Sequence, residues 1–407
     1  MEMKRGIACL VLLACLLLTT GCWNRAELND LRITVAGGID RIGDKWEISY
    51  QTIIPSSMAS GTGGSTGMGS QPAIYVFSMV SDTIFGARMK SNLETSRKLY
   101  VAHAKVIVVG REAAERGLGE LVDLFLRNSE SRESVELLIT DGRAKDLLKK
   151  MVPPEKLPGA SYSDIMGKES KFISIFPKKT IFDLALSLHS DAKSIGIPVA
   201  TFVGEDTEEN KAKLHSLDVL KDTSTPLSLR LTRLGVFSGD RLAGYLSGRE
   251  SMGLSWLTDQ VKGTELSFPC PQAKNKHNSI IITSAKTKLR PVHAGTHYTM
   301  LVNVKLNGNL MESTCNKDLS KLDVIREMEK SIEAEVRDQM FTGWDAVRQM
   351  GIDVTGYADI IHRSFPKEWR KMQTTWPDQF KRMDIQVQVK ATIRRPGLIQ
   401  KTIQQMK

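Results

Sequence analysis

Ala104-Lys105-Val106-Ile107-Val108-Val109-Gly110, then Arg111 to Asn128, then Ser134 to Thr140: the reading of these three pieces decides the fold. The first is a short apolar run rich in valine and closed by glycine, the pattern of a buried strand. The second has the composition of a helix interrupted at Gly117-Leu118-Gly119, and the third is another strand, closed by Asp141-Gly142. Strand, helix and strand in this rhythm predict a sheet covered by helices. The fold class expected is α+β, with mixed or largely antiparallel sheets.

Towards the N-terminus, Ile42 to Ile54 alternates Trp46, Ile48, Tyr50 and Thr52 with other residues, which predicts a strand with one buried face. A turn at Gly43-Asp44 joins it to the apolar stretch Ile33-Thr34-Val35-Ala36 as a hairpin. Ser56 to Pro72 is rich in glycine and serine and contains Gly61-Thr62-Gly63-Gly64. No Gly-Lys-Ser/Thr follows, so it reads as a flexible loop rather than a phosphate cradle. Thr83 to Leu93 reads as a helix, with Phe85, Met89 and Leu93 near helical spacing.

Towards the C-terminus, Pro153-Pro154 and Pro158-Gly159 mark a break in composition. A helix is expected over Ile181 to Leu188 and a strand over Val199 to Val203, while the charged Gly204 to Lys213 reads as a linker or a long hairpin. From Leu227 the chain is β-rich, with a hairpin turning at Gly239-Asp240. Strands are expected at Ile280 to Ile282, Met300 to Val304 and Ile385 to Val389. The best helical pattern is Ser320 to Met340, where Leu322, Ile325, Met328, Ile332, Val336 and Met340 form one apolar stripe and Glu333 and Arg337 sit one turn apart on its flank. Helical segments from Trp344 to Lys371 are punctuated by Gly351 and Pro366. Boundaries are therefore expected at a signal peptide (residues 1–21), an N-terminal α/β domain (22–148), a middle domain (149–226) and a C-terminal α/β domain (227–407).

At 407 residues the chain is long for one core, and 41% hydrophobic with 25% charged residues excludes a disordered or multi-span class. The net charge of +10 suits an anionic surface, but the basic residues are scattered among acids, and an exported chain has little use for nucleic acid. Export is read from Lys4 and Arg5, the apolar run Ile7 to Leu18, and the small residues Thr19, Thr20 and Gly21 before Cys22. That run is shorter than the roughly 20 residues a membrane span needs. The arrangement is similar to a bacterial lipobox, with Thr19 where such motifs usually carry leucine. A lipobox implies a diacylglycerol on Cys22 as the mature N-terminus; the alternative is an ordinary signal peptide cut near Gly21. Cys9 and Cys15 would leave with the leader, so Cys270 and Cys315 remain, and outside the cytoplasm these two could pair.

No catalytic constellation is visible: there is no Gly-x-Ser-x-Gly elbow, no His-Glu-x-x-His and no closely spaced cysteine pair. His293 and His297 flank Gly295, which argues against a helical metal site, and a solvated edge is the simpler reading. His103, beside Lys105 and ahead of a buried strand, reads as structural. Glu208-Glu209 lies in a segment too mobile, on this reading, for preorganised acid/base work. Trp369, Trp376 and Phe380 are spaced for a packed helical face, with a docking patch as the alternative.

Several stretches together resemble one family. Cys22-Trp23-Asn24-Arg25-Ala26-Glu27-Leu28-Asn29-Asp30 is similar to the start of the Ger(x)C spore germination lipoproteins, the C subunits of germinant receptors. His103 to Gly110, Ala113-Ala114-Glu115-Arg116-Gly117-Leu118, Leu126-Arg127, Leu234-Gly235-Val236-Phe237, Gly244-Tyr245-Leu246 and Glu250-Ser251-Met252-Gly253-Leu254 follow in the family's order. So do Pro366-Lys367-Glu368-Trp369, Trp376, Phe380 and Arg394-Arg395-Pro396-Gly397-Leu398. Where relatives often carry an Asp-Ile-Phe-Gly-Phe-Gly-like run, this chain has Asp353-Val354-Thr355-Gly356-Tyr357-Ala358. The resemblance implies a non-enzymatic subunit with three mixed α/β domains and no cofactor. It would be anchored by lipid at the outer face of the spore inner membrane, beside integral-membrane A and B subunits. A lipid-anchored solute-binding protein, or an envelope hydrolase, is the competing expectation; the first usually shows two repeated lobes, and no internal repeat is visible here.

Overall fold

A computed structural model describes residues 31–395, except 54–73, 96, 129, 271–272, 295–296 and 316, together with residues 3 and 6. Leu18 to Asp30, the glycine-rich Ser56 to Pro72 and Pro396-Gly397-Leu398 lie outside the described residues.

Two sheets organise the chain. The first contains β1 (Leu31–Ile42), β2 (Lys45–Ile53), β3 (Ile74–Ser81), β4 (Lys98–Tyr100), β5 (Val106–Gly110), β6 (Glu136–Thr140), β7 (Ser194–Gly204), β8 (Leu227–Ser238) and β9 (Arg241–Leu246). Its order is β3-β2-β1-β5-β6-β7-β8-β9, with β4 beside the start of β1. The central strands β1, β5, β6 and β7 are parallel, and the outer pairs are antiparallel. Both expected hairpins form: Ile42 pairs with Lys45 around Gly43, and Ser238 with Arg241 around Gly239, each glycine taking the left-handed φ such turns require. β7 and β8 are antiparallel neighbours, so residues 205–226 are the connection of a long hairpin.

Helices cover both faces of this sheet. In chain order they are α1 (Ile84–Glu94), α2 (Arg111–Arg116), α3 (Gly119–Arg127), α4 (Ala144–Leu148), α5 (Pro158–Phe172) and α6 (Ile181–His189), with α7 (Glu208–Lys213) in the β7–β8 connection. The first three and α6 share a core with Trp46, Ile48, Tyr50, Ile107 and Val109, while α4 and α5 pack on Val106, Val108 and Leu138 opposite. This corrects the reading of β2, which is buried on both faces. Alternation of apolar and polar residues looks one-sided, but here the polar side faces α4 and α5. Its residues are satisfied there: Glu47 pairs with Arg143 and, at 2.9 Å, with Lys145. Gln51 donates to the Leu148 carbonyl at 2.7 Å and accepts from the Gly159 amide at 2.8 Å.

Strands from all three expected segments hydrogen-bond in the first sheet, so the composition breaks near 149 and 227 fall within one sheet. Composition marks where loops are; which strands pair across those loops is a long-range matter it does not report.

The second sheet follows α8 (Gly248–Leu257) and contains β10 (Thr264–Cys270), β11 (Ala273–Ala294), β12 (His297–Ser313) and β13 (Asp384–Arg395), in that order. The first three strands are antiparallel, and β13 joins parallel to β12. Between β12 and β13 come α9 (Leu322–Met350), α10 (Tyr357–Ser364), α11 (Pro366–Met372) and α12 (Trp376–Arg382). The expected stripe on α9 is buried at Met328, Ile332, Val336 and Met340 and continues through Trp344 and Val347, but Leu322 is exposed. The helix ends where Gly351 takes a left-handed conformation at φ +71°. Glu333 does not turn to Arg337; with Glu329 it accepts the Ala391 and Ile393 amides of β13 at 3.1 and 2.9 Å, satisfying an edge that would otherwise be open. Trp369, Trp376 and Phe380 are core residues, as their spacing suggests. Cys270 and Cys315 form a disulfide, with Cα atoms 5.8 Å apart.

Candidate functional site

The strongest structural device outside the two cores is the junction where the sheets meet. It is built from α8 upward. Ser247 caps α8 in a reciprocal box with Glu250, which fixes the helix start. From there Ser251 donates to the Ile175 carbonyl at 2.5 Å, and the Trp256 indole donates to Gln339 of α9 at 3.0 Å. Gly253 and Gly343 let α8 and α9 approach backbone to backbone; a Cβ at Gly253 would lie 2.0 Å from the Gln339 carbonyl oxygen. These are the chemical reasons for the Glu250 to Leu254 stretch.

The loop after α9 closes the junction. Asp353 is buried and accepts four hydrogen bonds: from the Thr355 hydroxyl at 2.5 Å, the Tyr357 and Ala358 amides at 3.1 and 2.7 Å, and the Trp376 indole at 3.1 Å. Burial pushes its carboxyl up to about 6 even though those donors favour the charged form. Asp353 therefore sets the start of α10, with Gly356 in the left-handed region at φ +70°. From α10, Asp359 accepts the Asp191 amide at 3.0 Å and the His362 ring meets Asp191 at 2.7 Å. Ser194, at the start of β7, donates to the Asp353 carbonyl at 2.6 Å. A cleft of about 280 Å³ remains between these elements, lined by Ser187, Ser190, Ser194, Thr258, Gln260 and Thr355 among others. Lys179, Asp183 and Asp359 line it too, so the cleft offers hydroxyls, amides and charged groups for recognition by hydrogen bonding.

A second buried carboxylate stands at the other side of the junction. Glu169 of α5 accepts the Ile175 and Phe176 amides, both at 2.7 Å, and burial pushes it up to about 7. Its remaining oxygen has no partner among the described residues. Ser174, held at φ +57°, donates to the Gly263 carbonyl at 2.9 Å and so ties the turn after α5 to the segment that leads into β10.

Cys22, the one residue to which the sequence assigns a functional role, lies outside the described residues. His293 is exposed with its ring 4.8 Å from that of Tyr298, and the exposed His103 meets Tyr100 edge-on at 5.3 Å. Among the described residues no group of three His, Cys, Asp or Glu is placed to hold a metal. Glu208 and Glu209 sit on α7, paired with Lys211 and Lys213 as local helix supports. Sequence reasoning missed Asp353 and Glu169 as junction residues. For Asp353 a signal existed, an acid ahead of Thr355-Gly356 at a helix start, whereas nothing local marks Glu169.

Known proteins align with both bodies. Residues 24–202 match the spore germination protein N-terminal domain, and residues 232–397 match the spore germination B3/GerAC-like C-terminal domain. Spore germination protein KC of Bacillus subtilis (strain 168) is 28% identical over 98% of this chain and 97% of its own length. Spore germination protein B3 of the same organism is 24% identical over 98% of this chain and 100% of its own. The crystal structure of the GerBC protein shares the fold, with a TM-score of 0.52 over 91% of this chain and all of that chain, at 18% identity. Fold and matches together define the class, an α+β spore germination protein built on two sheets. The chain belongs to the Ger(x)C family of germinant receptor proteins.

Proposed function

We propose that this chain is a lipid-anchored, non-enzymatic subunit of a germinant receptor complex, held at the outer face of the spore inner membrane through diacylglyceryl-Cys22 and assembled with integral-membrane A and B subunits. The observation that carries the reading is that both family matches cover the chain from residue 24 to residue 397 with only a short gap between them. No helix among the described residues is long and apolar enough to cross a membrane. One diacylglycerol supplies two buried acyl chains, enough for stable attachment. The test is Cys22→Ala. The variant is expected to leave the membrane fraction on a high-salt wash, with spores unresponsive through this receptor; a variant that stays membrane-bound through that wash and germinates normally would sink the anchoring claim.

The polar cleft favours a second reading, capture of a small polar nutrient by this chain for a transporter. Against it, the two bodies have different sheets, nine strands and four, and are not repeated lobes. Calorimetry of the mature chain against amino acids and sugars separates the two, since tight binding by the isolated chain favours capture.

A further inference from the structure

The layer of α1, α3 and α6 is apolar on its outside as well as its inside. α1 turns Ile84 and Ala87 to the core and leaves Phe85, Met89 and Leu93 in solvent, Leu93 at 87% exposure. α3 and α6, packed successively beside it, add Leu126, Phe182 and Leu186, each about half exposed. Isolated exposed apolar residues are ordinary, but six on three adjoining helices mark a surface that meets something. The stripe expected on α1 is thus real and faces outward.

Basic residues gather at one end of this layer, where β1, β4, β5 and β6 begin. Arg32 lies over the rings of Tyr75 and Phe77 at 4.6 and 4.5 Å and donates to the Thr52 hydroxyl at 2.9 Å. Burial, and the like charge of Arg97 as well, press its pKa down. Lys98 pairs through its backbone with Leu31. The Lys105 amide reaches the Val35 carbonyl, and the Lys179 carbonyl receives the Leu137 amide; Arg132 lines the same depression as Lys105. None of Arg32, Arg97, Lys98, Lys105, Arg132 and Lys179 has an ion-pair partner among the described residues. The acids at this end include Glu94, Glu130, Glu133 and Glu136, of which Glu130 is taken by Arg88 and Glu136 by Lys178, with Asp183 capping α6 and exposed Asp164 next to Ser163 of the same depression.

The tether enters here too. Eight residues, 23–30, lie between Cys22 and Leu31, and the nine steps from one to the other reach at most about 30 Å when fully extended. An anchor on Cys22 therefore keeps this end of the molecule, rather than the far end of the strands, beside the bilayer.

We propose that the basic end of the α1–α3–α6 layer is a membrane-docking face: the cations engage anionic phospholipid headgroups, and Leu93, Leu126 and Phe182 enter the interfacial region. The orientation rests on the anchoring reading of Cys22; the affinity for lipid does not, because it belongs to the folded chain. Each Lys or Arg close to an anionic surface contributes about fivefold in binding, and apolar side chains add to it.

The experiment uses the mature chain, residues 22–407, carrying Cys22→Ala so that no lipid is attached, sedimented with vesicles of phosphatidylcholine alone or mixed with phosphatidylglycerol. Binding is expected to the mixed vesicles only, and to be released at high salt. Arg97→Glu with Lys98→Glu lowers it at least about tenfold. Leu93→Ser with Phe182→Ser also lowers it, but leaves its salt dependence unchanged; Lys98, Leu93 and Phe182 are exposed and Arg97 is half-buried, and unchanged melting curves confirm that the variants fold. Failure of the parent to bind, or variants that bind equally well, overturns the proposal. So does loss of co-purification with membrane proteins in these variants without any vesicle binding, which makes the face a protein-docking one. Mass analysis of the native N-terminus tests the anchor separately, so either claim can fail alone.

Discussion

The first sheet is covered on both faces, by α1 to α3 and α6 on one side and by α4 and α5 on the other, whereas the second is covered on one face only, by α8 to α12. The consequence shows in their polar residues. In the second sheet β13 alternates buried and exposed residues along its length, and its outward side chains face water, where they need no protein partner. In the first sheet Asp40, Glu47 and Gln51 face inward and each is satisfied from the start of a covering helix: Asp40 by the Ala144 and Lys145 amides at 2.7 and 2.9 Å, Glu47 by Arg143 and Lys145, Gln51 by Gly159. An unsatisfied buried group of this kind costs about 1–3 kcal/mol, so in the first sheet polar residues fix where the helices begin. The second sheet has no such locks on its open face, and a disulfide and one long helix take their place.

The sharpest way to break this comparison is to reduce the Cys270–Cys315 bond. The sequence separation is 45, and a loop of that size restricts the unfolded chain by up to about 4 kcal/mol in the chain-entropy view. Reduction is expected to speed amide exchange in β10 to β12 while β5 and β6 keep their protection. Equal loss in both sheets would mean that the bodies open as one cooperative unit.

Gly253→Ala is expected to act next most strongly. The added methyl meets backbone rather than a flexible side chain, so α8 and α9 must separate, at about 3 kcal/mol. Urea unfolding followed separately in the two bodies shows where the loss falls. The second sheet should suffer first, because α9 is its main cover; a loss below about 1 kcal/mol would show that the helix pair is not closely clamped.

Much of this was legible in the sequence where the signal is local. The β1–β2 and β8–β9 turns, the break at Gly117, the long amphipathic helix and the aromatic core of α11 and α12 follow from short-range periodicity and turn chemistry. What escaped is relational. The outward orientation of Phe85, Met89 and Leu93 depends on which side of α1 meets the sheet, and two stripes on one helix compete for that role; Ile84 and Ala87 win. That β7, β8 and β9 extend the first sheet depends on pairing of β7 with β6 across residues 141–193 and with β8 across residues 205–226, and the full length of β11 and β12 depends on each supporting the other. In the junction, Asp353 is marked by a helix-start pattern, but Glu169 receives amides from Ile175 and Phe176 only because the chain reverses at Ser174.

Glu169 gives the smallest effect and a direct view of the junction between the two sheets. Its carboxyl is raised by burial from 4.5 to about 7, so the folded state holds a proton that the unfolded state releases. The sign follows: the contribution is fully present below the unfolded value and is lost as pH rises through about 7. Asp353, raised to about 6 from 3.8, acts in the same direction over a lower window. Stability of the parent is therefore expected to fall as pH rises from about 4 to about 7, with Glu169 responsible for the upper part of the fall. Glu169→Gln keeps an oxygen for the two amides and carries no charge. It should leave the lower part of the curve to Asp353 and flatten the part between pH 6 and 7. Parallel curves for parent and variant across that interval would mean that water reaches the Glu169 carboxylate and that the junction is looser than the first sheet's own buried acids.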